Sequence, residues 1–115
     1  MISLYGIRSC DACRKALKWM RERDIRHEYV DIREVGLNTP LVNRWQDSIN
    51  WQELLNRRSI TWRKIPECDR NEMNRDKARA LLLHYPTVMK RPLLDLGSRI
   101  VLGFSESEYE SLDLE

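Results

Sequence analysis

Cys10 and Cys13, in the stretch Tyr5-Gly6-Ile7-Arg8-Ser9-Cys10-Asp11-Ala12-Cys13-Arg14-Lys15, are the residues whose types and spacing most directly offer chemistry. A cysteine reacts as its thiolate, and ionisation is favoured at helix N-termini, beside cations and within Cys-x-x-Cys motifs. Cys10 meets all three conditions if a helix begins at Asp11, since Arg8, Arg14 and Lys15 stand close by in sequence. The first turn of such a helix adds unpaired backbone N–H groups and the positive end of the macrodipole. A thiolate held there can attack a disulfide sulfur or another electrophilic centre. The plainer alternative is a pair of small buried residues that happen to lie three apart.

The elements that would position these thiols are legible from periodicity and caps. Ile2, Leu4 and Tyr5 suit a buried strand, and a helix from Asp11 to about Arg23 places Cys13, Ala16, Leu17 and Met20 on one apolar stripe. Cys13 then faces inward, while Arg14, Lys15, Lys18 and Arg21 form a solvated face. His27 to Arg33 reads as a second strand, closed by Gly36. About fifty residues without strand pattern follow. Thr39-Pro40 opens a helix carrying Leu41, Val42 and Trp45, Asn50-x-x-Glu53 opens another, and Asn74 caps a third that Pro86 ends. Arg91 to Leu96 and Arg99 to Leu102, joined at Gly97-Ser98, read as a β-hairpin. Ser105-x-x-Glu108 is a capping box, stapled by Phe104 and Tyr109, that starts a last helix running to about Asp113. The order is β-α-β, a helical insert, then β-β-α.

Whole-chain numbers restrict the classes of function. The 115 residues make about one domain, with 20 basic against 18 acidic residues, so no strong field marks the chain for nucleic acid. Fifteen of the basic residues are arginine, whose planar fork suits oxyanions and carboxylates. Three cysteines are too few for a disulfide scaffold and favour a reduced, cytoplasmic setting. No signal peptide or membrane span is expected. Cys68, among acidic neighbours, reads as a bystander in a loop, and His27 and His84 form no metal site with the cysteine motif, so no metal is expected. Trp19, Trp45, Trp51 and Trp62 read as packing residues, and no direct nucleic-acid or membrane contact is expected.

A β-α-β half and a β-β-α half, with Cys-x-x-Cys at the first βα junction and a proline opening the third strand, form the plan of a thioredoxin-like α/β fold. Three sets of residues carry a more specific resemblance. They are Leu4-Tyr5-Gly6-Ile7 with Cys10-Asp11-x-Cys13-Arg14-Lys15-Ala16 and Trp19; Asn50-Trp51 with Leu54-Leu55-Asn56-Arg57-Arg58 and Thr61-Trp62-Arg63-Lys64; and Lys90-Arg91-Pro92-Leu93-Leu94 with Leu102-Gly103-Phe104-Ser105. Together they resemble the arsenate reductase (ArsC), Spx and YffB family over residues 1 to about 112, most closely its YffB branch. The resemblance implies a single domain, with a thioredoxin-like core over about 1–35 and 86–115 and a helical insertion over about 38–85.

It also implies roles. Cys10 matches the nucleophile, Arg91 the arginine before the strand-opening proline, and Arg58 or its neighbour Arg57 an arginine of the insert, with Arg8, Arg14 and Pro92 in support. The Arg91-Pro92 peptide is expected to be cis. A further arginine that follows the last strand in arsenate reductases is replaced here by Gly103 or Phe104, which leaves the oxyanion site one arginine short. Cys13 is either the resolving thiol or a small core residue. The leading expectation is a monomeric, cytoplasmic reductase without bound cofactor, acting on a disulfide or oxyanion substrate with glutathione as co-substrate. The alternatives are an Spx-type redox-responsive regulator that binds RNA polymerase, and a binding module without turnover.

Overall fold

Strand β1 (Ser3–Gly6) runs through the middle of a four-stranded sheet in the computed structural model, which describes residues 2–112 and 114. It pairs in parallel with β2 (Glu28–Asp31), Leu4 standing opposite Tyr29 and Gly6 opposite Asp31. On its other side it pairs antiparallel with β3 (Leu93–Asp95), which pairs antiparallel with β4 (Ile100–Leu102), giving the order β2-β1-β3-β4. A parallel pair needs a crossover, and helix α1 (Asp11–Glu22) supplies it. This mixed sheet has the thioredoxin-like α/β plan expected from the sequence.

The chain divides into two compact units, Met1–Asp31 with Arg91–Glu115, and Ile32–Lys90. In the first, α1 buries Cys13, Ala16, Trp19 and Met20. Trp19 takes a place on the stripe that the sequence reading gave to Leu17, which is only partly buried. Leu4, Leu94, Val101 and Tyr109 complete the cluster against which α1 packs. The hairpin turns at Gly97, whose φ of 87° lies in the left-handed region that glycine adopts freely. A last helix, Glu106–Ser111, begins where the Ser105 hydroxyl accepts the Glu108 N–H at 3.4 Å. The staple is present, with the Phe104 and Tyr109 rings 4.8 Å apart and nearly perpendicular. The expected end of this helix at Asp113 lies outside the described residues.

The second unit is helical. It opens with one turn, α2 (Ile32–Val35), so Ile32 and Arg33 are helical rather than the end of a strand. Helix α3 (Thr39–Ser48) is capped by Asn38, whose side chain accepts the Leu41 N–H at 3.0 Å, one residue earlier than the expected Thr39 cap. Asn50 and Asn74 cap α4 (Trp51–Leu54) and α5 (Arg75–His84) as expected. Two short helices between them, Ile60–Lys64 and Glu67–Arg70, have no counterpart in the sequence reading. Cys68, expected in a loop, is exposed on the second of these, its sulfur 3.9 Å from the Asp69 carboxylate. The unit is closed by the Leu55–Met89 bridge and by the Gln46 amide, which donates to the Arg75 carbonyl at 2.9 Å. Among the described residues no helix is long and apolar enough to cross a membrane.

Candidate functional site

Cys10 is the N-cap residue of α1, with extended backbone angles and its carbonyl accepting the Arg14 N–H at 3.0 Å. The loop before it is tied down at both ends. The Cys10 N–H donates to the Ile7 carbonyl at 3.1 Å, and the Arg8 N–H donates to Asp31 Oδ2 at 3.2 Å. Asp31 ends β2 with its side chain only 8% exposed, and it also pairs with the Arg8 guanidinium at 3.9 Å. A buried carboxylate that takes a backbone donor at the mouth of the cysteine loop fixes where that loop leaves the sheet. Asp31→Ala is therefore expected to lower the unfolding free energy by about 1–2 kcal/mol in urea titrations, the cost of orphaning that N–H. Asp31→Asn, which keeps an acceptor oxygen, is expected to cost less.

The Cys10 sulfur is the focus of the polar groups here. Partial burial pushes its ionisation up. Opposing that are the Cys13 N–H, the Cys13 thiol and the Arg91 guanidinium, all donating toward the sulfur, with the positive charge of Arg91 added. The donors prevail, and Cys10 lies below the ordinary thiol range. Sulfur closes no regular capping hydrogen bond at the start of α1, yet the helix N-terminus still acts on it through the Cys13 N–H.

Cys13 is the opposite case. It is fully buried, and burial pushes its thiol up to about 12, with the hydrogen bond to Cys10 and the charge there adding to the effect of burial. The Ile7 N–H donates to its sulfur and acts the other way. Of the two thiols Cys10 is therefore the one that ionises first, while Cys13 keeps its proton and directs it at the Cys10 sulfur. Both cysteines, like Cys68, are free thiols.

Two neighbours of Cys13 were not singled out by the sequence reading. A Cβ on Gly6 would sit 2.5 Å from the Cys13 sulfur and 3.1 Å from its Cβ, so only glycine lets α1 approach β1 this closely. Tyr29 Cε1 borders the same space at 3.7 Å. Gly6 was visible as a glycine inside an apolar run and Asp31 as a polar residue in a strand. Their meaning depended on the parallel register, which places one opposite the other.

The structure brings Cys10, Cys13 and Arg91 together, and the Arg91-Pro92 peptide is cis. Arg14 is paired with Asp11 and Arg8 with Asp31. Arg58 belongs to the helical unit, where it is exposed and its N–H donates to Asn56 Oδ1 at 3.1 Å. His27 Nδ1 lies 2.7 Å from the Ile25 carbonyl, and His84 packs edge-on against Tyr85. Among the described residues no three His, Cys, Asp or Glu side chains converge in a way that could hold a metal ion.

The model of the ArsC family matches residues 5–112. This chain belongs to the ArsC family. An uncharacterized protein of Haemophilus influenzae is 36% identical to it over 111 residues, spanning 96% of this chain and 97% of that protein. Global transcriptional regulator Spx 2 of Bacillus cereus is 26% identical over 113 residues, spanning 94% of this chain and 83% of the regulator. The solved YFFB protein superposes with a TM-score of 0.92 at 35% identity, covering 96% of this chain and 97% of its own. An arsenate reductase (ArsC) related protein from Brucella melitensis gives a TM-score of 0.75 at 34% identity, covering 96% and 92%. The ArsC match begins at Tyr5, so it takes in Gly6, the cysteine loop, Asp31 and Arg91. Within the ArsC frame, the position after β4 is Gly103, with φ of 79°.

Proposed function

We propose that this ArsC-family chain is a thiol–disulfide reductase of the cytoplasm that uses Cys10 as nucleophile and glutathione as co-substrate. The observation that carries the reading is the convergence of the Cys13 thiol and the Arg91 guanidinium on the Cys10 sulfur, which keeps it ionisable despite burial. The Cys10 thiolate attacks one sulfur of a disulfide, a mixed disulfide forms, and the other sulfur leaves as a thiolate. Arg91 holds the attacking anion, and Arg58 is assigned to substrate anions by its motif position. The mixed disulfide is then resolved by Cys13 or by glutathione, releasing the substrate as a thiol. Arsenate fits less well, because Gly103 or Phe104 stands where the family resemblance implies a further arginine, and Arg99 precedes β4.

Intact-mass spectrometry after limited treatment with oxidised glutathione tests this. The expected product is an adduct of one glutathione on Cys10, formed faster at pH 7 than on the exposed Cys68, together with turnover of a glutathione-mixed disulfide substrate. Labelling of Cys68 first, with no turnover, would remove the reading.

A regulator of the Spx kind is the second reading, supported by the Spx relatives and by two cysteines close enough to hydrogen-bond. It requires binding to RNA polymerase that differs between the dithiol and the internal disulfide. A pull-down of the polymerase with each form separates the two readings, since the reductase is expected to show no redox-dependent association.

A further inference from the structure

The hydroxyl of Tyr29 is buried and has no hydrogen-bond partner. Buried polar groups nearly always have one, so an orphan donor beside a reactive centre calls for a reason. The comparable hydroxyl of Tyr109 donates to the Gly103 carbonyl at 3.4 Å. Tyr29 stands on the strand next to β1, and its ring edge and the Cys13 sulfur border one small space above Gly6. Burial, with charge at Cys13 and Asp31 adding to it, pushes the phenol up to about 12, so it stays a protonated donor across neutral pH.

We infer that Tyr29 is a positioning residue for the resolving step, its hydroxyl donating to the Cys13 sulfur once Cys10 is held in a mixed disulfide. The inference rests on the reductase reading above. In the dithiol state Cys13 directs its proton to the Cys10 sulfur and has no need of a further donor. Once Cys10 is bonded to glutathione, the charge at Cys10 is gone and Cys13 must give its proton to solvent. The Cys13 thiolate then attacks the Cys10 sulfur. A Cys10–Cys13 bond forms, the Cys10–glutathione bond breaks, and glutathione leaves as a thiolate that takes up a proton. The two cysteines are oxidised and the glutathione sulfur is reduced, so no further reagent is needed. The developing charge on Cys13 has the Ile7 N–H as one donor, and the Tyr29 O–H is the second.

The test compares the full-length protein with Tyr29→Phe, which removes one hydroxyl that bonds nothing in the dithiol state. The variant is expected to melt no lower than the parent chain. Both proteins are treated with oxidised glutathione, quenched in acid at timed intervals, and weighed intact. The glutathione adduct should form at the same rate in both. Its conversion to the internal disulfide should be slower in Tyr29→Phe by about tenfold, the effect of one hydrogen bond to a charged group, with the pH midpoint of conversion moved upward. Equal conversion rates, equal slowing of both steps, or an adduct that never yields the internal disulfide in the parent chain would each overturn the role of Tyr29 and leave the reductase reading intact. If no adduct forms at all, the reductase reading fails and the inference fails with it.

Discussion

Cys10→Ser is expected to abolish the glutathione adduct and to reduce turnover by about a thousandfold or more, as loss of a nucleophile does. Arg91→Ala is expected to keep the adduct but to move its pH dependence. The argument follows the charges at the sulfur. Burial raises Cys10, and the donors from Cys13 and Arg91 lower it by more. Removing Arg91 takes away a hydrogen bond and a positive charge together, so the midpoint of the alkylation rate against pH must rise toward the ordinary thiol value of ~8.5. At pH 7 the rate should fall by about threefold to tenfold. Cys10 is half-buried and solvent screens the pair, so the effect stays below that of a fully buried ion pair. Arg91→Lys, which keeps charge but loses the planar fork, should fall between the two. Iodoacetamide kinetics against pH check all three proteins. An unmoved midpoint in Arg91→Ala would mean that the guanidinium does not govern this thiol.

The same depression links Cys10 to stability. Its ionisation in the folded chain is easier than in the unfolded one, so the stabilisation it lends is present above the unfolded thiol value. That stabilisation is lost as pH falls through the folded value. Arg91→Ala narrows this window from below, which urea midpoints measured from about pH 6 to 9 would show as a flatter slope.

Much of this arrangement was legible in the chain because local signals and tertiary structure agreed. The Ser105 cap with the Phe104–Tyr109 staple, the Asn50 and Asn74 caps and the Gly97 hairpin all stand where composition placed them. Each is decided within four or five residues, the range over which capping and turn chemistry act. The errors lie where longer-range forces won. Ile32 falls in the alternating run that reads as strand, yet it turns into a helix where the chain enters the helical unit. The helices Ile60–Lys64 and Glu67–Arg70 are too short for a periodic stripe to show. At the site, Cys10 and Arg91 could be paired through a family resemblance. The contributions of Gly6, Tyr29 and Asp31 depend on strand register, which no local pattern in residues 1 to 31 encodes.

Gly6→Ala is expected to be the most damaging small substitution in the sheet. The new methyl would lie 2.5 Å from the Cys13 sulfur, well inside van der Waals contact, and the sulfur is the short, buried end of a helix residue with nowhere apolar to retreat. Overpacking of this kind costs about 3 kcal/mol, which for a domain of this size lowers Tm by roughly 10 °C or more. The cause can be separated from a general intolerance of alanine in a strand by a double-mutant cycle. Cys13→Ala deletes the atom nearest the intruding methyl, leaving only the 3.1 Å approach to its Cβ. Gly6→Ala should therefore cost much less in the Cys13→Ala background than in the parent chain, the double variant losing about 1–2 kcal/mol less than the sum of the two single losses. If the two losses merely add, the clash is not the cause, and the glycine serves some other need of β1. If they couple as expected, the position of the Cys13 sulfur is set from the strand side by Gly6. The hydrogen bond it directs at the Cys10 sulfur then depends on a residue that carries no chemistry of its own.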